Sequence, residues 1–162
     1  MRRLNLALAI AAAAAAVGGA VHAQEQRKTP YWASISAGEA MMRTGPGKNY
    51  PGTWLYQRAD LPIKVVEVYP SWRKVQDPDG TTGWMLVNLL SEQRTALVTG
   101  EEPRDMHEAP SSEARILDRA EPGVVGRISQ CASGWCRLDV RGRAGFIRAE
   151  HIWGTDGNEI LD

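Results

Sequence analysis

"SWRKVQDPDGTTGWMLVNLL", residues 71–90, decides the fold. Apolar Trp72 and Val75 flank Arg73 and Lys74, the spacing of a half-buried strand. Asp77-Pro78-Asp79-Gly80 then reads as a hairpin tip, because aspartate, proline and glycine each satisfy a backbone demand of a tight turn. Trp84 lies on the returning strand, and "VNLL" after it has room for one helical turn. The same order recurs in "GWCRLDVRGRAGFIRAEHI", residues 134–152, with Trp135 and Leu138, a tip at Arg141-Gly142-Arg143, then Phe146.

Working outward, "MRTGP" at 42–46 falls on "MHEAP" at 106–110. "SWRKV" at 71–75 falls on "GWCRL" at 134–138, and "GWMLVNLL" at 83–90 on "GFIRAEHI" at 145–152. The three offsets are 64, 63 and 62 residues, so the chain carries a duplicated unit. "YWASISA", "IKVVEV" and "WRKVQ" are rich in β-branched or aromatic residues and lie between turn formers. After residue 23 no stretch sustains a helical apolar period. The expectation is an all-β protein of two tandem small barrels, each strongly bent and five-stranded, because so small a unit buries little surface and cannot leave strand edges open. Residues 91–103 connect the units, and "TALVT" within them is a strand that either finishes the first barrel or opens the second.

The first residues have a different character. Met1-Arg2-Arg3 precedes an alanine-rich apolar run from Leu4 to Val17, and Val21-His22-Ala23 suits a signal peptidase. This predicts a cleaved helical signal peptide over 1–23 and a periplasmic or secreted protein, with no membrane span after cleavage. The division expected is 1–23 signal, 24–30 N-terminal segment, 31–96 first barrel, 97–155 second barrel and 156–162 tail. Arg2 and Arg3 leave with the signal, so 19 basic residues become 17 against 19 acidic ones, a net charge of −2. Nothing in that balance suggests nucleic-acid binding, which needs a strongly basic footprint, and no nucleic-acid partner is expected.

Cys131 and Cys136 are the only cysteines. Their spacing is neither a zinc set nor a redox Cys-x-x-Cys. In an oxidising compartment a disulfide across a tight turn is expected, with two buried thiols as the alternative.

"MRTGPGKNYP", followed by "YQRADLPIKVVEVYPSWRKVQDPDGTTGWMLVNLLS", resembles the bacterial SH3-like domain, whose marks are an Arg-x-Gly-Pro-Gly-x-x-Tyr loop, a Trp-Arg-x-Val strand and a Gly-Trp-Val-like strand. "RTALVT", "EPGVVGRI", "GWCRL" and "HIWG" extend the resemblance to exported proteobacterial proteins carrying two such domains, a group whose function is not established. The resemblance runs from about Tyr31 to Gly154. It departs at Met41-Met42, where aliphatic-Asn-Leu is usual, and in copy two, where "HEAPSSEA" replaces the glycine-rich loop.

Gly45-Pro46-Gly47-Lys48 is not a phosphate loop, since Asn49-Tyr50 follow instead of Ser/Thr and a helix. Gly45 and Gly47 are expected to supply unusual backbone angles, with Pro46 stiffening the turn between them. No nucleophile elbow appears, and no metal set; Asp77 and Asp79 lack the remaining ligands of a calcium loop. No catalytic residue, cofactor or metal is therefore expected.

Eight of the eleven aromatics, from Tyr31 to Trp84, lie in unit one. Trp72, Trp84, Trp135 and Phe146 are expected in the barrel cores. Tyr50, Trp54 and Tyr56, with Arg43 at the loop's start, then form a candidate groove, or else fill a core or interface. Arg137, Arg141, Arg143 and Arg148 cluster at the last hairpin, either to meet an acidic partner such as a peptide carboxylate or as its solvated face. Export, the aromatic surplus and the resemblance imply a non-enzymatic periplasmic module recognising peptidoglycan peptide or glycan. The alternative is a protein–protein adaptor of the cell envelope.

Overall fold

The computed structural model describes residues 27–157 and 159–161, so the signal peptide expected over 1–23 lies outside the described residues. Every described element is a β-strand except two 3-10 turns, Val87–Leu89 and Ala149–His151, which fall on "VNLL" and "AEHI". The first sheet contains β1 (Tyr31–Ile35), β2 (Ala40–Arg43), β3 (Gly52–Tyr56), β4 (Pro62–Tyr69), β5 (Trp72–Gln76), β6 (Thr82–Leu86) and β7 (Leu90–Ser91). The second contains β8 (Thr95–Val98), β9 (Arg104–His107), β10 (Ile116–Ala120), β11 (Val125–Ala132), β12 (Trp135–Val140), β13 (Arg143–Arg148) and β14 (Ile152–Trp153).

The hydrogen-bonded order is β3-β2-β6-β5-β4-β1-β7 in the first sheet and β10-β9-β13-β12-β11-β8-β14 in the second. One topology is thus written twice. The duplication extends to register: Arg43 pairs with Trp84 and His107 with Phe146, while Trp72 pairs with Leu86 and Trp135 with Arg148. The sequence offsets are therefore physical correspondences.

Each sheet has seven strands where five were expected. The additional pair in each unit, β1/β7 and β8/β14, continues the ladder beyond β4 or β11 and covers an edge that would otherwise be open. "TALVT" opens the second sheet as β8, paired with β11 and β14. Two apolar clusters result, one around Ile35, Met42, Ile63, Val65, Val75 and Met85. The other is built around Val98, Met106, Leu138, Ile147 and Ile152.

The tryptophans do not sit in these clusters. Trp72 and Trp135 are each only 7% exposed, yet neither belongs to a core. Met85 faces the first core, and successive strand residues point to opposite faces, so Trp84 points outward opposite Lys74. Lys74 is two residues along β5 from Trp72, which places both tryptophans on the outer face. Trp84 is covered there by Tyr69, edge-on at 6.3 Å, and Trp135 by His107 at 5.4 Å and the Arg148 guanidinium at 5.0 Å. Phe146 is half-buried beside Ile147, the residue that fills the second core.

The glycine-rich loop also departs from expectation. Neither Gly45 nor Gly47 has a positive φ. A Cβ on Gly45 would strike the Tyr50 ring, coming within 2.7 Å of Cγ and closer still to Cδ1 and Cε1; one on Gly47 would meet Tyr50 at 3.2 Å and Asn49 Oδ1 at 2.6 Å. The glycines are there because the Tyr50 ring lies across them. In copy two the corresponding positions are Ala109, Ser111 and Ala114, and with no ring to house, no glycine is needed.

The loop shape itself survives. Thr44 N–H to Pro51, Gly47 to Gly45 and Tyr50 to Gly47 are matched by Glu108 to Arg115, Ser111 to Ala109 and Ala114 to Ser111. Arg43 Nη1 donates to the Tyr50 carbonyl at 2.8 Å, and His107 Nδ1 lies 2.9 Å from the Ala114 carbonyl. A carbonyl only accepts, so that imidazole nitrogen carries its hydrogen.

Candidate functional site

β3 is the edge strand of the first sheet, and it carries Trp54 and Tyr56 toward the tip of the β5–β6 hairpin. Between them runs a groove of about 340 Å³ lined by Trp54, Tyr56, Arg58, Asp77 and Asp79, with Leu97 and Gly123 from the second barrel closing one side.

Asp77 organises this groove. Its Oδ1 accepts the backbone N–H of Asp79 at 3.1 Å and of Thr81 at 2.8 Å, which folds the tip back on itself. Gly80 completes the turn at a φ of 84°, a left-handed angle natural to glycine. The other oxygen, Oδ2, accepts the Tyr56 hydroxyl at 2.6 Å and ties β3 to the hairpin. Burial first, then this bond and the charges of Asp77 and Asp79, push the Tyr56 phenol well above the usual tyrosine pKa. Tyr56, 7% exposed, is thus a fixed neutral floor rather than a titrating group.

Trp54 is the opposite case. It is 62% exposed, with its ring centroid 6.5 Å from that of Tyr56 at 62°. An indole this exposed above a fixed phenol offers a broad flat face with little conformational entropy to lose on contact.

Of the other residues singled out in the sequence, Tyr50 and Arg43 are outside the groove lining. The Tyr50 ring packs over Gly45 and Gly47, and the Arg43 guanidinium bonds the Tyr50 carbonyl. Arg58, Leu97 and Gly123 escaped the sequence reading. In the sequence Asp77 and Asp79 read as turn formers and as an incomplete calcium loop; two carboxylates at a hairpin tip beside an aromatic strand are the signal that marks the acidic wall.

Copy two lacks the aromatics of this groove. Trp54 pairs across from buried Met42 and Asp118 from buried Met106; Tyr56 pairs with Ala40 and Ala120 with Arg104. The duplicated positions of the two groove aromatics are therefore Asp118 and Ala120. Asp118 is paired with Arg143 at 2.8 Å.

The barrels meet along a built seam. Trp32 of β1 meets Trp153 of β14 edge-on, centroids 4.6 Å apart. Lys64 Nζ sits 4.9 Å over the Trp32 ring and 2.7 Å from Asp156. Burial opposes ionisation of Asp156, but Lys64 and Arg94 outweigh it and hold the carboxyl below its usual range. The Trp32 indole N–H adds to that pull without reaching hydrogen-bonding geometry. Arg94 grips the Glu159 carboxylate with both terminal nitrogens, at 2.6 and 3.1 Å, and also reaches the Gly154 carbonyl. Arg58 Nη2 donates to the Gly123 carbonyl at 2.8 Å, so one groove residue is itself pinned across the seam.

Cys131 and Cys136 form a disulfide at the β11–β12 hairpin. Among the described residues, no three histidine, cysteine or acidic side chains gather as a metal-binding group. Nor is any described helix long and apolar enough to cross a membrane.

Two small SH3-like barrels in tandem, with an aromatic groove at the edge of the first, place the molecule among proteins built on a binding-module fold. The match is specific at the family level. The bacterial SH3 domain family matches residues 36–92 and again 101–154, and the chain belongs to that family. No curated protein matches it. Among solved structures it is similar to NlpC1 from Trichomonas vaginalis, at 14% identity and a TM-score of 0.35, over 82% of this chain and 49% of that one. It is likewise similar to an NlpC/P60 family protein from Bacillus cereus ATCC 10987, at 14% identity and a TM-score of 0.34, over 76% of this chain and 56% of that one. The chain thus spans about half the length of those two proteins.

Proposed function

We propose that the protein is an exported, non-catalytic binding module that holds peptide or glycan of the cell wall in the groove of its first barrel. The observation that carries the reading is Trp54, 62% exposed on an edge strand and directed along a groove whose floor, Tyr56, is locked in place. A large apolar ring is left in water at a preformed concave site, and stacking on a sugar face or peptide plane is what such a ring does best. Membership of the bacterial SH3 family and a disulfide suited to an oxidising compartment support the same reading. The second barrel, with Asp118 and Ala120 at the equivalent positions, serves as a wall and a brace.

Co-sedimentation with purified, protein-free peptidoglycan tests this. Binding should saturate, and Trp54→Ala should weaken it by about tenfold while leaving the fold intact, the loss expected for one central aromatic anchor. Equal binding by wild type and variant would remove the groove from the account.

A protein–protein adaptor is the second reading. It is favoured by the edge position of β3, where Leu55 is exposed beside Trp54 and the backbone is open to strand addition. Periplasmic crosslinking through position 55 that yields a discrete protein adduct, with no sedimentation on peptidoglycan, would select it.

A further inference from the structure

On the other side of Arg58 the groove meets a second, larger cleft of about 500 Å³ between the barrels. Arg58, Ala59 and Asp60 form one wall, and Thr95, Val125, Arg127, Asp139, Arg141 and Gly142 belong to the other barrel. Three arginines and two aspartates line it; Arg58 is held on the Gly123 carbonyl, and Asp139 is not fully free. Asp139 Oδ1 accepts the Gly142 N–H at 2.7 Å, which shapes the turn that carries Arg141. Arg127 is the cross-strand partner of Asp139, yet neither it nor Arg141 takes part in any ion pair among the described residues. Their neighbours in sequence show the usual fate of such arginines: Arg143 is paired with Asp118, and Arg148 lies over Trp135.

A second observation points the same way. Thr95, directly opposite Arg127 in the β8–β11 register, is 2% exposed, and its buried hydroxyl has no hydrogen-bond partner. Buried hydroxyls are normally satisfied, so Thr95 is a polar group without its complement, lying beneath the cleft surface rather than open to it.

We propose that this cleft is a carboxylate subsite, with Arg127 and Arg141 as the fork that holds a free peptide carboxylate and Arg58 at the junction with the aromatic groove. Guanidinium presents paired N–H groups in the plane a carboxylate needs, whereas a neutral glycan hydroxyl has no use for three of them. Val125 and Ala59 give the cleft walls for a small side chain. The inference rests on the groove reading only in that one ligand spans both sites. It narrows the ligand class to peptide, lying with its carboxylate away from Asp77 and Asp79.

NMR of the labelled protein tests it, with the arginine Nε–H and tryptophan indole N–H signals followed in one spectrum. Trialanine, its C-terminal amide and inorganic phosphate are the probes. Saturable shifts at Arg127 and Arg141 with trialanine, about tenfold weaker with the amide, are expected, and the accompanying shift of Arg58 Nε–H should vanish in Arg127→Gln/Arg141→Gln. If Trp54 shifts as well, both sites bind one ligand; if only the arginines shift, the subsite stands and the groove reading fails. If only Trp54 shifts, or the amide matches the acid, the groove survives and the subsite is refuted. Equal shifts with phosphate reveal a general anion site and refute it too, as does no shift at all.

Discussion

Replacing Gly45 by alanine tests the argument that ties sequence to loop shape. Gly45 is buried and lacks a positive φ, so the substitution carries no left-handed strain. Its cost is steric. The new methyl would lie within 2.7 Å of the Tyr50 ring at Cγ, well inside van der Waals contact. Overpacking of this kind costs about 1–3 kcal/mol. Tyr50 is 43% exposed and can swing toward water, which puts the expected loss near the lower end, about 1 kcal/mol. Copy two shows the relief: Ala109 stands where Gly45 does, and Ala114 where Tyr50 does. In a Tyr50→Ala background the same Gly45→Ala change should reverse sign and stabilise by about 0.5 kcal/mol, through the reduced freedom of the unfolded chain. The coupling between the two sites is then about 1.5 kcal/mol. Urea unfolding of the four proteins in the cycle measures it. The same penalty in both backgrounds would mean that the ring does not dictate the glycine, and the reasoning from copy two would collapse.

Tyr56→Phe should cost about 1.5–2 kcal/mol, since it removes a buried hydrogen bond to a carboxylate; wild-type stability in urea would show that Asp77 does not hold β3. The raised pKa of Tyr56 adds an alkaline signature. Its stabilisation is whole below the ordinary tyrosine value near 10 and is lost as pH climbs toward the folded value, so in an ultraviolet titration Tyr56 should stay neutral well past the ordinary range, and a Tyr56→Phe variant should lose only that late step. Asp156 behaves in the opposite sense: its lowered pKa stabilises above about pH 4 and the benefit fades as pH falls through the folded value. Asp156→Asn should therefore flatten the acid limb of a stability–pH curve, and an unchanged limb would dismiss the Lys64 pairing. Serine at both Cys131 and Cys136 should cost about 2 kcal/mol, as a short closed loop implies, and thiol labelling of the native protein should find no free sulfur.

The sequence by itself determined the duplication, the strand class and the hairpin tips, because these depend on local chemistry. Asp77-Pro78-Asp79-Gly80 and Arg141-Gly142 are turns wherever they occur between alternating strands, and offsets of 64, 63 and 62 residues reappear as identical pairings in both sheets. Which face each strand buries was not local. Trp72 and Trp135 looked like core residues from hydrophobicity alone, but the alternation with Met85 and Ile147 sends the aromatics outward, and only the curl of the sheet decides which face is inside. The glycine pair was legible as a turn, but not as a berth for the Tyr50 ring. The groove was half legible: Trp54 and Tyr56 stood out as surplus aromatics, while the acidic wall, Arg58 and the second barrel's contribution did not. The reason is distance along the chain. Tyr56 and Asp77 are 21 residues apart and Arg58 and Gly123 are 65, and no pattern short enough to see in sequence joins groups that meet only when two barrels have folded and closed against each other.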